Sequence, residues 1–244
     1  MALVGERSLT AGTIIGVDLA WGERAPTGLC ACDESGMVIA SATAVRDEEI
    51  FAWIEQFRPL STVAFDAPLI VKNETGMRLC EHELNRRFGR FHAGCYPTNL
   101  GLLKGRVRAK EIADALELTP GRSAIEVYPH SALVTIGGLD RVLEYKARPG
   151  RTLDSRRSEM VRLTELIRRV DGFDAASGPR WAELFELVTT APTRAALRRG
   201  EDELDAHVCA IVGLLHTRGD SRIAVFGEPG GGEIVTLVDD RTRP

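Results

Sequence analysis

Apolar and polar positions divide the chain into an opening group of strands and a longer stretch in which helices and strands alternate. Thr13 to Leu19 is nearly all apolar and rich in branched residues, the pattern of a buried strand. A turn, WGERAPTG, follows it. Leu29 to Cys32, the tetrapeptide DESG and Met37 to Ala44 read as a β-hairpin, so the first three strands form an antiparallel meander. From Arg46 to Phe57, Ile50, Trp53, Ile54 and Phe57 recur at helical spacing, and Pro59 ends the helix. Ser61 to Ala67 is the next strand. A strand–helix–strand order predicts a right-handed crossover that returns parallel to the first strand.

The pattern is less regular from Ile70 to Gly121. It holds a polar helix near Glu81 to Arg90, a loop FHAGCYPTNLG and a helix near Val107 to Leu118. Ser123 to Val127 is a strand, and His130 to Ile136 begins a helix or a turn. Leu139 to Thr190 is amphipathic in parts, as at Met160, Leu163, Leu166 and Ile167, with no linker or repeat. Asp202 to Thr217 is the strongest helix, with Leu204, Val208, Ile211, Val212 and Leu215 on one face. Arg222 to Phe226 and Ile234 to Val238 flank EPGGGE as a terminal hairpin. The expectation is a flexible tail over 1–11 and one domain over 12–244, with insertions at about 70–121 and 137–195.

Carboxylates stand where this pattern calls for apolar residues. Asp18 ends the first strand and Asp66 the fourth, while Asp202 and Asp205 lie three apart on the last strong helix. A buried, unpaired carboxylate costs several kcal/mol or takes up a proton. Singly, each acid has an ordinary explanation: a strand-end turn for Asp18, a helix N-cap or first-turn position for Asp202. The order of three strands, helix, strand, insertion, strand, insertion, helix is that of an RNase H-like α/β fold. Its mixed five-stranded sheet has the order 3-2-1-4-5 and is flanked by helices. The first and fourth strands then lie side by side and parallel, with both aspartates at the end where open α/β sheets place their sites. The closing helix packs across and adds Asp205, then Asp202. Helical spacing places His207 well away from Asp205, toward solvent. Such a set of hard oxygen donors suits Mg²⁺ or Mn²⁺. Two ions about 3.5–4 Å apart can activate water and stabilise a leaving oxygen in phosphodiester cleavage.

Composition sets limits. The chain has 244 residues, 44% hydrophobic and 27% charged, an ordinary globular balance. A net charge of −4 argues against a general nucleic-acid coat without excluding a local basic groove. No apolar run reaches the roughly 20 residues that span a bilayer, and the N-terminus lacks a signal-peptide pattern, so a cytoplasmic protein without a membrane partner is expected. Five cysteines form no disulfide framework; Cys30 and Cys32 share a strand face as core fillers. Cys80, His82, His92 and Cys95 are the one zinc-like set, with a spacing that fits no common structural site. Arg86, Arg87, Arg90, Lys104, Arg106, Arg108 and Lys110 cluster in the first insertion, with Phe88, Phe91 and Tyr96 available for stacking. A solvated helix face explains the same cluster. His130 is a proton shuttle or a structural histidine.

GVDLAWG, FDAPL, IEVYPH and DELDAHVCAIVGLL, in that order, resemble the predicted nucleases grouped as domain of unknown function 429. The last segment is also similar to the closing helix of Holliday-junction resolvases, where an Asp-x-x-Asp pair holds metal. The resemblance implies a metal-dependent nuclease acting on DNA or RNA. Asp18, Asp66, Asp202 and Asp205 would be metal ligands, and Glu126 of IEVYPH a further catalytic acid whose alternative is an edge-strand surface acid. Two other readings stay open: a phosphotransferase of the related actin-like superfamily, for which WGERAPTG is only loosely a phosphate loop, and a non-catalytic RNase H-like binding module.

Overall fold

The computed structural model describes residues 12–22 and 24–243; the tail expected over 1–11 lies outside them. Strands β1 (Thr13–Asp18), β2 (Thr27–Asp33), β3 (Val38–Ala44), β4 (Leu60–Phe65) and β5 (Ala124–Glu126) form one sheet in the order β3-β2-β1-β4-β5. β1 is antiparallel to β2 and parallel to β4, and β4 is parallel to β5. The meander, the crossover and the strand order are therefore those that the apolar pattern predicts.

Strand alternation sorts the core into two layers. Ile15, Val17, Leu29, Ala31, Val63 and Phe65 face α1 (Asp47–Glu55) and α4 (Arg108–Ala115). Ile14, Cys30, Cys32 and Ala64 face the other way, onto α8 (Arg194–Thr217). The second insertion completes this layer with α6 (Leu153–Arg168) and α7 (Trp181–Thr190), after α5 (Pro129–Ile136). The first insertion carries α2 (Leu79–Phe88) and a short α3 (Leu100–Leu103). β6 (Ile223–Glu228) and β7 (Gly232–Leu237) pair as the expected terminal hairpin, a separate two-stranded sheet.

The central helix differs from the sequence expectation at its start. It begins at Arg194, capped by the Thr193 side chain, so Asp202 lies well inside it and is neither an N-cap nor a first-turn acid. The mostly charged stretch 198–203 hides this part of the helix from a search for apolar periodicity. His207 is buried, not solvent-facing: its Nδ1 lies 2.8 Å from the Glu203 carbonyl, and its ring packs against Phe173 and Trp181. The second insertion covers a face of α8 that would otherwise meet water.

Two glycines seat α8 on the sheet. A Cβ at Gly16 of β1 would overlap the Ala206 carbonyl and the Ala210 nitrogen. One at Gly28 of β2 would overlap the carbonyl of Asp202. Gly28 is the register partner of Asp18, so the seat fixes the distance between the end of β1 and the acidic turn of the helix. Gly28→Ala is expected to lower stability by about 1–3 kcal/mol, the usual cost of overpacking. The midpoint of urea unfolding reads this out, and an unchanged midpoint would show that the helix shifts freely.

Candidate active site

Alternation explains which acids meet. In β1, Ile14 faces α8, and so by period two do Gly16 and Asp18. In β4, Thr62 and Ala64 lie near Gly213 of α8, and Asp66 follows in the same phase. Its backbone N–H donates to the Val17 carbonyl at 2.8 Å, which holds it beside Asp18. From α8, Asp202 and Asp205 project towards the same strand ends.

The acids close on a lysine. Lys146, in the loop before α6, forms an ion pair with Asp205 Oδ2. The same ammonium lies 3.7 Å from Glu201 Oε1 and 4.0 Å from Asp18 Oδ2. The adjacent Tyr145 hydroxyl donates to Asp205 Oδ1 at 2.6 Å. Arg156 of α6 pins this loop: its Nε donates to the Tyr145 carbonyl at 2.7 Å, and its Nη2 to Glu201 at 2.8 Å. Asp205 is completely buried. Its Oδ2 faces the Lys146 ammonium and, among the described residues, no other partner.

Lys146 and Arg156 face this group of carboxylates, and burial raises the pKa of several of them. Burial pushes Asp18 well above the ordinary aspartate range; Lys146 opposes this, while Asp205, Asp66 and Asp202 add to it. Burial also raises Asp66 to about 7, against Lys146, with Asp205 adding and a hydrogen bond from Asp18 holding it lower. Asp202 is raised by burial to about 6. Burial alone would lower Lys146, but Asp205 and Asp18 keep it well above the usual lysine value, hence charged. Burial, then Lys146, lowers His130 to about 4, which leaves the ring neutral. Its Nδ1 lies 3.3 Å from the Tyr128 hydroxyl.

Glu126 lies beside this cluster, out of phase with it. It is the register partner of Phe65, whose side chain faces away from α8. Arg78 grips it with two bonds, Nη1 to Oε2 at 2.8 Å and Nη2 to Oε1 at 2.6 Å. Leu69 N–H also donates to Oε2, at 3.3 Å. Arg78 pairs further with Glu81, so these three charges form a buried network that holds the 66–70 turn.

Other candidates separate. Cys80 is buried and Cys95 half-buried, but His82 and His92 are exposed. Among the described residues, no three carboxylate, imidazole or thiol groups form a ready-made metal cage. Phe88 and Phe91 are core residues, whereas Tyr96 is 70% exposed. Arg106 and Arg108 pair with Asp47, and Lys110 with Asp114. The basic run of the first insertion is therefore not one binding face. Lys146, Tyr145, Glu201 and Arg156 escaped the sequence reading. LEYKARPG gives no periodic signal, and only the fold brings it to α8.

These features belong to a family. A model described as protein of unknown function (DUF429) matches residues 16–229, and the chain is a member of that family. No curated protein and no solved structure matches the chain.

Two results are expected. Asp18, Asp66 and Asp202 keep protons to higher pH when folded than when unfolded, so their contribution to stability falls between about pH 4 and about pH 7, while His130, held neutral when folded, contributes in the opposite sense. Urea midpoints of the wild type and Asp66→Asn at about pH 5 and about pH 7.5 isolate the carboxyl share: the variant should gain stability relative to the wild type as pH rises. A difference that does not change with pH would mean that Asp66 is ionised throughout. Arg78→Met leaves Glu126 and Glu81 buried without their cation and should cost about 3–5 kcal/mol in the same assay.

Proposed function

We propose that the chain is a metal-dependent nuclease, built on an RNase H-like domain, that hydrolyses phosphodiester bonds of nucleic acid. The supporting observation is the convergence of Asp18 and Asp66, from adjacent parallel strand ends, with Asp202 and Asp205 from α8, in excess over the cations that face them. Carboxylate oxygens are the donors a hard divalent cation takes, and such a cation would relieve the mutual repulsion that adds to the raised pKa of Asp18 and Asp66, whose larger cause is burial.

Asp18, Asp66, Asp202 and Asp205 would hold Mg²⁺ or Mn²⁺. When bound, the metal would activate a water and stabilise the leaving oxygen. The chain's own residues prepare the site. Tyr145 orients Asp205 through Oδ1. Lys146 holds Asp205 in an ion pair and lowers the pKa of Asp18 against the effect of burial. Arg78, through Glu126 and Leu69, braces the turn that carries Asp66. Glu126 is thus a positioning residue in this reading, although it was a catalytic candidate in the sequence.

Lys146 also supports a second reading. An ammonium seated among the acids partly balances a site without metal, as a non-catalytic binding module would require.

Calorimetric titration of Mn²⁺ into the wild type, Asp18→Asn and Asp205→Asn distinguishes the two. The nuclease reading expects binding that either substitution abolishes. It also expects loss of Mn²⁺-dependent cleavage beyond the roughly 10–100-fold that losing an outer hydrogen-bond partner costs. Failure of the wild type to bind millimolar Mn²⁺, both alone and with a non-hydrolysable oligonucleotide, would sink it.

A further inference from the structure

A cleft of about 930 Å³ opens directly beside the acids. Three chain segments that carry the acids also form its walls. Residues 19–22 follow Asp18, Ala67 and Pro68 follow Asp66, and 195–199 precede Asp202 on α8. Arg198, Asp202 and Asp205 stand at i, i+4 and i+7, on one face of that helix. At 1.5 Å per residue, the path from the arginine to the innermost acid is about 10 Å along the axis.

The cleft is cationic in a site that is otherwise acidic. Arg24, Lys104, Arg198 and Arg199 line it and are exposed. Among the described residues, no side chain of these four forms an ion pair or hydrogen bond, and Arg198 acts on Asp202 only through its charge, so all four can turn to a ligand. This differs from Arg108 on the same wall, which Asp47 and the Ala20 carbonyl hold in place.

Aromatic surface marks the boundary between cleft and acids. Trp21 is 67% exposed, far more than an indole with a packing role. It lines the large cleft and also a smaller cavity of about 130 Å³ that contains Asp66 and Tyr96. Ala67 and Pro68 border both spaces, which are therefore neighbours. An exposed indole and phenol beside unpaired cations form a stacking surface with a phosphate-binding track.

We propose that this cleft binds a single-stranded segment of nucleic acid. Arg198, Arg199 and Lys104 take the backbone phosphates, a base stacks on Trp21, and the next phosphodiester is delivered to Asp66, which lines the adjoining cavity. Stacking on an exposed indole needs an unpaired base, which selects a single strand over a duplex. The inference rests on the nuclease reading of the acids, since it assigns the substrate of that site.

The test is fluorescence anisotropy of a labelled twelve-nucleotide oligo-dT and of a duplex of the same length, in EDTA, across a salt series. Circular dichroism and thermal melts verify that each variant is folded. The wild type should bind the single strand more tightly than the duplex. Trp21→Ala should weaken single-strand binding roughly tenfold and leave the salt dependence unchanged. Arg198→Ala with Arg199→Ala should reduce the log–log salt slope by about 0.7 for each phosphate no longer neutralised. Duplex binding as tight as single-strand binding, or full affinity in both variants, would overturn the proposal.

Cleavage in Mn²⁺ separates this inference from the reading beneath it. Cleavage that Asp205→Asn abolishes but neither cleft variant changes would leave the nuclease and remove the cleft. Single-strand binding that depends on Trp21, with no cleavage of any substrate, would remove the nuclease and leave the cleft.

Discussion

The structure depends on one close approach: the backbone of α8 lies directly on β1 and β2 where Gly16 and Gly28 have no side chain. Any larger residue there would hold the helix off the sheet. Because Gly28 is paired with Asp18 and touches Asp202, this packing also sets the spacing of the candidate site. The apolar residues of α8 supply much of the driving force for folding, as its Leu204, Val208, Ile211 and Val212 are fully buried. Folding energy thus holds together carboxylates that would repel one another in solution.

Much of this was legible in the sequence because strands and helices have different periods. Apolar runs and turn residues located β1 to β4, the crossover and the terminal hairpin. Asp18, Asp66 and Asp205 were noticeable because a carboxylate in an apolar element needs compensation. The beginning of α8 was less legible. Its residues from Arg198 to Glu203 are mostly charged, and its glutamates are satisfied from other elements, Glu201 by Arg156 and Glu203 by Ser41 and Arg180. Periodicity reports apolar faces, and it is silent where a helix buries ion pairs.

Glu126 and Lys146 show two further limits. Glu126 stands in a strand next to that of Asp66, but adjacency in the sheet does not determine which face a side chain takes. Its register with Phe65 puts it on the opposite face from α8, where Arg78 satisfies it. Lys146 lies in an irregular loop, and its position follows from Arg156 and Tyr145. These are long-range placements, set by packing of an insertion whose local sequence has no preferred geometry.

The 24-residue length of α8 has a consequence for how the molecule opens. The arginines at its beginning, the acids in its middle and the core residues at its end belong to one continuous hydrogen-bonded helix. The 137–152 loop has no helix or strand of its own and is held by side-chain contacts, whereas the acids of the helix cannot part from β1 unless the central sheet loses its cover. Amide hydrogens around Asp205 should therefore exchange only through opening of the whole domain, while those around Lys146 exchange through smaller excursions. The two halves of the charge cluster thus differ in kind: the carboxylates of α8 sit on a hydrogen-bonded helix, and their ammonium on an irregular loop held by side chains.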